Sequence, residues 1–260
     1  MDWINHQLYI EPIKAFIDPM QPADYAIVTH GHADHARSGH KNVLATPQTI
    51  EIMKRRYGEN CADNFQPLAY GEPLKIDEVT LTFYPAGHIL GSAQVLLEYK
   101  GQRAVITGDY KTRPDSTAAP FELVPCDLFI TEATFGIPVF QHPDPQHEIK
   151  KLLDSLQEQP ERAHVIGAYA LGKAQRVIKL LREAGYNEPI YLHGAQVKLC
   201  EYYQSEGIDL GILLKATEKE KAELKGRVVI APPSALKDRW SRRLPDPVIC
   251  YASGWMSIKQ

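Results

Sequence analysis

Four residues able to bind a metal ion fall within six positions in His30-Gly31-His32-Ala33-Asp34-His35. Imidazole nitrogens suit Zn, Mn or Fe, while added carboxylates suit harder ions and bridge pairs of them. Two imidazoles two residues apart, on a tight loop leaving a strand, can turn to one side and hold one ion. Asp34 and His35 then face a neighbouring position where a second ion could sit. Gly31 is expected to let so tight a loop close, because it has no β-carbon. A single histidine is usually structural or exposed; this density behind a strand points to metal chemistry. Two later positions have the same character, His88 in Pro85-Ala86-Gly87-His88 and Asp109 in Thr107-Gly108-Asp109. A pair of divalent ions about 3.5–4 Å apart can stabilise both the attacking and the leaving oxygen of a phosphoryl displacement.

Such residues need strands to carry them to one place. The apolar run Tyr25-Ala26-Ile27-Val28-Thr29 ends directly at His30. Further strands are predicted at 79–84, 94–99, 103–107 and 127–131, with His88 following the first and Asp109 the third. Polar residues delivered at successive strand ends build a site at one edge of a sheet. Thr46-Pro47 reads as an N-cap and first helical position, with Gly58 as the stop. Near residue 142 the rhythm changes. Asp144-Pro145 opens a helix through Ile149, Leu152 and Leu156. Strands at 164–169, 189–192 and 227–231 then alternate with helices at 173–184 and 197–205, stopped by Gly185 and Gly207. That alternation predicts a parallel, doubly wound layer. A strand at 247–253 is expected to return to the first sheet. The expected organisation is therefore a main metal-site domain over 1–142, an inserted α/β cap over 143–244, and a returning strand over 245–260.

The bulk composition is that of an ordinary globular protein. Hydrophobic residues make up 44% and charged residues 23% of 260, which excludes disordered and fibrous classes. A net charge of −3 gives no global attraction to nucleic acid, so cationic surface must be local. Lys111 with Arg113 is one candidate; Lys237, Arg239, Arg242 and Arg243 form another. Cys61, Cys126, Cys200 and Cys250 stand far apart without a C-x-x-C pair, and are expected to be thiols in a reducing compartment. The N-terminus has no basic and apolar export signal, and no run approaches the roughly 20 apolar residues of a membrane span. A cytoplasmic location is expected.

The H-x-H-x-D-H run, the later Gly87-His88 and the later Gly108-Asp109 together resemble the metallo-β-lactamase superfamily. The resemblance covers essentially the whole chain. It implies an α/β fold, a four-layer αββα sandwich with the site at one edge of its sheets. It also implies that His30, His32 and His88 hold a first metal, that Asp34 and His35 serve a second, and that Asp109 bridges them. Asp18, in Phe16-Ile17-Asp18-Pro19, matches the family's acidic residue that orients the metal loop.

The α/β insertion is similar to the cap of the family's β-CASP branch, whose members cleave nucleic acids. Thr131-Glu132-Ala133-Thr134-Phe135-Gly136 resembles that branch's acidic motif, making Glu132 a candidate partner for a metal-bound histidine. Ala168 to Arg176 resembles its strand–turn–helix entry. There Gly172, Lys173 and Arg176 surround a helix N-terminus that could seat a phosphate. His193, at a strand end in the cap, is a further candidate substrate contact. Within the branch the chain is similar to bacterial ligase-associated DNA exonucleases, through these segments and through Ser253-Gly254-Trp255-Met256. That likeness implies a Zn- or Mn-dependent phosphodiesterase with one or two ions, acting on DNA ends in repair. Its implied associates are an ATP-dependent DNA ligase and a helicase. Asp34 and Asp109 would be its catalytic carboxylates. Members of that group carry a further Asp-His motif beyond the Ser-Gly-Trp-Met segment. This sequence ends at Gln260, with His193 its last histidine, so the expectation is either that the sequence is a truncated form or that the second metal is bound incompletely. Two other readings stay open: an RNA-processing β-CASP nuclease, and a non-catalytic nucleic-acid-binding protein.

Overall fold

A computed structural model describes residues 2–216 and 223–257, save the side chains of Arg243 and Ser257. The chain divides into two compact units, Met1–Glu132 and Ala133–Gln260.

Two five-stranded sheets make the first unit. One runs in chain order through β1 (Tyr9–Ile10), β2 (Ala15–Ile17), β3 (Tyr25–Ile27), β4 (His40–Ala45) and β5 (Ala62–Pro67). β2 to β5 are parallel, and β1 is antiparallel to β2. The other holds β6 (Pro73–Ile76), β7 (Val79–Pro85), β8 (Ala93–Tyr99), β9 (Gln102–Ile106) and β10 (Leu128–Ile130). β6 to β9 form an antiparallel meander, and β10 lies parallel to β9.

Strand periodicity decides which side chains meet. Val79, Leu81 and Phe83 alternate onto one face of β7, and Val95 and Leu97 onto the same face of β8. They pack with Ile17, Ile27 and Leu44 of the first sheet in one buried core. Each such side chain stabilises the unit by about 1.5–3 kcal/mol. The other face of the first sheet presents Ala26, Val28, Val43 and Ala45 to Ile50 and Met53 of α1 (Pro47–Tyr57). Thr46 caps α1 by accepting from the Thr49 amide at 3.2 Å, and Gly58 ends it at φ 95°. One helix and two sheets thus supply α, β and β layers of the expected sandwich.

The second unit contains α2 (Pro145–Glu158), β11 (His164–Gly167), α3 (Lys173–Glu183), β12 (Ile190–Leu192), α4 (Gly194–Ser205), β13 (Leu213–Lys215), β14 (Val228–Ala231) and β15 (Val248–Tyr251). Its sheet is wholly parallel, in the order β13-β12-β14-β11-β15. From β11 the chain steps one way through β12 to β13, then reverses through β14 to β15. Right-handed crossovers therefore send the connections to opposite faces. Leu224, Ala235, Leu236 and Leu244 cover Val165, Tyr191 and Val229 on one face. Ile166, Leu192 and Ile230 alternate onto the other, where α4 packs on β12 and β14.

The expected return strand is corrected here. Val248–Tyr251 pairs in parallel with β11, Val248 opposite His164 and Tyr251 opposite Gly167, so residues 245–257 belong to the second unit. The crossover rhythm that begins at β11 simply continues through 3-10 turns at Pro233–Lys237 and Ser241–Arg243. The boundary also falls earlier than 142, directly behind Glu132. All four cysteines are free thiols. Among the described residues no helix is long and apolar enough to cross a membrane.

Candidate metal centre

The parallel strands of the first sheet deliver the first histidines. β3 runs out at Ile27, Val28 still pairs with Leu44, and Thr29 accepts from the Ala93 amide of the second sheet at 2.8 Å. This clamps the two sheets together where the His30–His35 loop begins. β7 and β9 carry His88 and Asp109 to the same edge.

There the His32 Nδ1 lies 3.1 Å from His30 Nε2 and 3.1 Å from His88 Nε2. Asp109 Oδ2 lies 3.8 Å from His30 Nε2 and 3.6 Å from His88 Nε2. Zn–N bonds of about 2.0–2.1 Å imply roughly 3.4 Å between ligand atoms in a tetrahedron. The four groups fit that cradle. The other oxygen of Asp109, Oδ1, lies 3.4 Å from His35 Nε2, which is 3.9 Å from Asp34 Oδ2. One carboxylate therefore faces two donor sets with different oxygens. Asp34 is mostly exposed, at 73%. Beneath the loop, Asp18 accepts from the Thr29 amide at 2.8 Å and the Thr29 hydroxyl at 2.6 Å, and its Oδ2 lies 2.7 Å from His35 Nδ1. It holds the far side of the His35 ring while Nε2 faces Asp109, the arrangement that orients a ligating imidazole.

The electrostatics keep His30 and His88 in the neutral form that can ligate, and hold His35 protonated in metal-free protein at neutral pH. Burial holds His30 well below the usual histidine range, with His35, His32 and His88 adding to the effect. Burial and then His32 push His88 down to about 3. For His35 burial acts downward too, but the hydrogen bonds to Asp109 and Asp18 outweigh it and raise the ring to about 10. Burial would lift Asp109, yet the hydrogen bond and charge of His35 hold it below the usual carboxylate range.

The stability of metal-free protein follows in sign. His30 and His88 contribute fully above the ordinary histidine pKa, and that contribution is lost as pH falls toward 3. His35 contributes fully below that value and loses its share as pH rises through 10. Asp109 adds to the loss at the acid end. The melting temperature of EDTA-treated protein should peak at about pH 6–7 and fall on both sides. A flat profile between pH 4 and 6, by calorimetry, would contradict these shifts.

Several residues that hold the centre carry little sequence signal. Buried Thr29 bonds Asp18 and also lies 3.1 Å from His30 Nδ1; its position just before the motif was its only cue. Ser92 Oγ accepts from the amides of His88 and Ile89 at 3.1 and 3.2 Å. Arg56, at the end of α1, donates to the Gly31 carbonyl at 2.6 Å. Thr29→Val should weaken metal affinity about 10- to 100-fold, the usual cost of losing an orienting partner, and should cost about 1.5–3 kcal/mol of stability by leaving the nearly buried Asp18 carboxylate one donor short. Competition against a chelating dye measures the affinity directly. Gly31 itself is not in the left-handed region; Gly87 and Gly108, at φ 73° and 55°, are the glycines whose conformation the site needs.

Glu132 leaves β10 beside the end of β9, because Ile130 pairs with Ile106. The register thus brings it to the sheet edge that carries Asp109. The remaining expected residues lie in the second unit. Gly172 is the N-cap of α3 at φ 79°, with Lys173 its first residue and Arg176 one turn in. His193 caps α4, its Nδ1 accepting from the Ala195 amide at 3.1 Å, and its ring meets Trp240 edge-to-face at 4.9 Å. All of these stand at the C-terminal edge of that parallel sheet, where open α/β sheets bind ligands.

Known proteins supply an independent comparison. A family model described as a beta-lactamase superfamily domain matches residues 1–166. A probable DNA ligase of Opitutus terrae is 30% identical across 98% of this chain and 25% of its own length. An RNase J-like protein of Methanocaldococcus jannaschii is 28% identical across 70% of this chain and 50% of its own. A ribonuclease of Thermus thermophilus is 28% identical across 67% and 47%. The chain thus spans a quarter to a half of the length of these curated relatives. With the family model matching most of its length and nucleases of the β-CASP type among its relatives, the chain belongs to the β-CASP branch of the metallo-β-lactamase superfamily.

Proposed function

We propose that the protein is a metal-dependent phosphodiesterase that trims DNA ends, working in repair beside an ATP-dependent DNA ligase and a helicase. The observation that carries this reading is Asp109, one carboxylate facing two donor sets with its two oxygens. In this reading His30, His32 and His88 with Asp109 Oδ2 hold one Zn or Mn ion, and Asp34 and His35 with Oδ1 serve a second. Bound divalent ions supply Lewis-acid activation of water and of the phosphoryl group. Asp34, exposed beside His35, orients the attacking water by accepting its hydrogen bond. Asp18 and Glu132 hold histidine rings in place. Gly172, Lys173, Arg176 and His193 are the second unit's contacts to a nucleic-acid backbone.

The likeness to the ligase protein runs across nearly the whole chain, whereas those to the two ribonucleases cover about two thirds. That favours DNA. The ribonuclease relatives motivate the second reading, an RNA-processing enzyme. Protein stripped with EDTA and reloaded with Zn or Mn should be assayed on end-labelled DNA, single- and double-stranded, and on matched RNA. Stepwise shortening of DNA ends is expected. Faster turnover of RNA would move the substrate to the second reading. Salt-sensitive binding without turnover would leave a binding protein only.

A further inference from the structure

Asp115 is a nearly buried carboxylate, 5% exposed, close in sequence to the metal centre yet outside its donor sets. It accepts from the Thr117 amide at 3.0 Å and the Thr117 hydroxyl at 2.7 Å, and its other oxygen binds the Lys111 ammonium. Lys111 is itself fixed at the backbone. Its amide donates to the Ala86 carbonyl at 2.9 Å. Its carbonyl approaches Gly87 so closely that a β-carbon there would stand 2.2 Å away. The lysine is thus tied to the loop that presents His88 and stands two residues beyond Asp109. Its charge is felt at the site, for it is among the influences that lower His88. About a quarter of the side chain remains exposed.

Surface lysines are ordinarily mobile, and holding one costs side-chain entropy. Burying a carboxylate costs solvation unless it is paired. Here both costs are met to fix one ammonium at the rim of a centre otherwise rich in acids: Asp18, Asp34, Asp109 and Glu132. With divalent ions in the centre meeting the reacting phosphate, the neighbouring phosphates of a polyanionic substrate still need a fixed cation beside it.

We infer that Lys111, oriented by Asp115, contacts a non-bridging phosphate oxygen of the nucleic-acid substrate at the rim of the metal centre, with Asp115 as its positioning residue. This rests on the nuclease reading above. The test uses Lys111→Met, Lys111→Arg and Asp115→Asn in metal-reloaded full chain. It measures KM and kcat on a labelled oligonucleotide, the salt dependence of binding, metal content and melting temperature. Loss of one charge-assisted bond should raise KM about 10-fold or more in Lys111→Met, with metal content kept. The slope of log affinity against log salt should shrink by about 0.7–0.9. Lys111→Arg should recover much of the loss, because it keeps the charge, and Asp115→Asn should raise KM in the same direction. Unchanged KM and salt slope in Lys111→Met, in a wild type that cleaves, would overturn this inference alone. So would a loss traced wholly to lost metal or melting temperature and not relieved by arginine. A metal-loaded wild type that neither binds nor cleaves nucleic acid would overturn the nuclease reading, and this inference with it.

Discussion

Asp109→Asn is expected to lower phosphodiester hydrolysis by at least about 10²–10³-fold, the scale on which loss of one preorganised charge-stabilising group acts, while leaving the protein folded. The amide keeps the shape of the carboxylate but not its charge. It offers one oxygen where Oδ2 faces His30 and His88 and Oδ1 faces His35, so both donor sets lose the negative charge and one of them also loses its oxygen. Two independent readouts accompany the rate. Metal stoichiometry by elemental analysis should fall, because the shared group serves both sets. The raised pKa of His35 should also drop in metal-free protein, since its hydrogen bond to Asp109 is among the principal influences holding it up; NMR titration of the ring reads this. The hydrophobic core lies between the sheets, away from their edge, and circular dichroism should be unchanged. Near-wild-type turnover with a full complement of metal would remove Asp109 from the mechanism.

Much of this centre could be read in the sequence because its donors are chemically distinctive and sit at strand ends. His30, His32, His88 and Asp109 are drawn from three strands, and the structure brings them within 4.8 Å of one another. α1 and α2 were equally legible, since Thr46-Pro47 and Asp144-Pro145 state both an N-cap and a fixed first φ. Less distinctive elements escaped. β1 and β2 are two and three residues long, too short for any periodicity to register. β5, Ala-Asp-Asn-Phe-Gln-Pro at the sheet edge, is mostly exposed and polar; its strand is set by pairing with β4 rather than by its own composition. α4 begins at Gly194, because His193 serves as a cap, a role that its residue type does not advertise. The last strand was misplaced for a different reason. Val248–Tyr251 shows β-propensity but says nothing of which sheet it joins, and partner choice rests on contacts distant in sequence.

The supporting layer was the least legible part, and Gly108 shows why its effect can nonetheless be large. Gly108→Ala is expected to destabilise the protein by about 2–4 kcal/mol, combining a left-handed backbone cost with overpacking, and to abolish tight metal binding. The residue lies at φ 55°, and a β-carbon there would stand 2.5 Å from the Thr29 hydroxyl oxygen and 2.7 Å from its Cβ. Thr29 cannot step aside. It is 1% exposed, is held to Asp18 through both amide and hydroxyl, and touches His30. Relief must come from moving the Asp109 loop or the His30 loop, and either opens the donor set. Gly101→Ala is the matched control. Its φ is 77°, in the two-residue turn between β8 and β9, but no atom lies within 4 Å of the new carbon. It should cost only about 1–2 kcal/mol, the left-handed backbone cost alone, and leave metal affinity intact. Thermal melts with and without Zn read both effects: the Zn-dependent rise in melting temperature should survive in Gly101→Ala and vanish in Gly108→Ala. Equal behaviour of the two variants would mean that backbone conformation alone matters at Gly108, and that the contact with Thr29 does not hold the two metal loops in register.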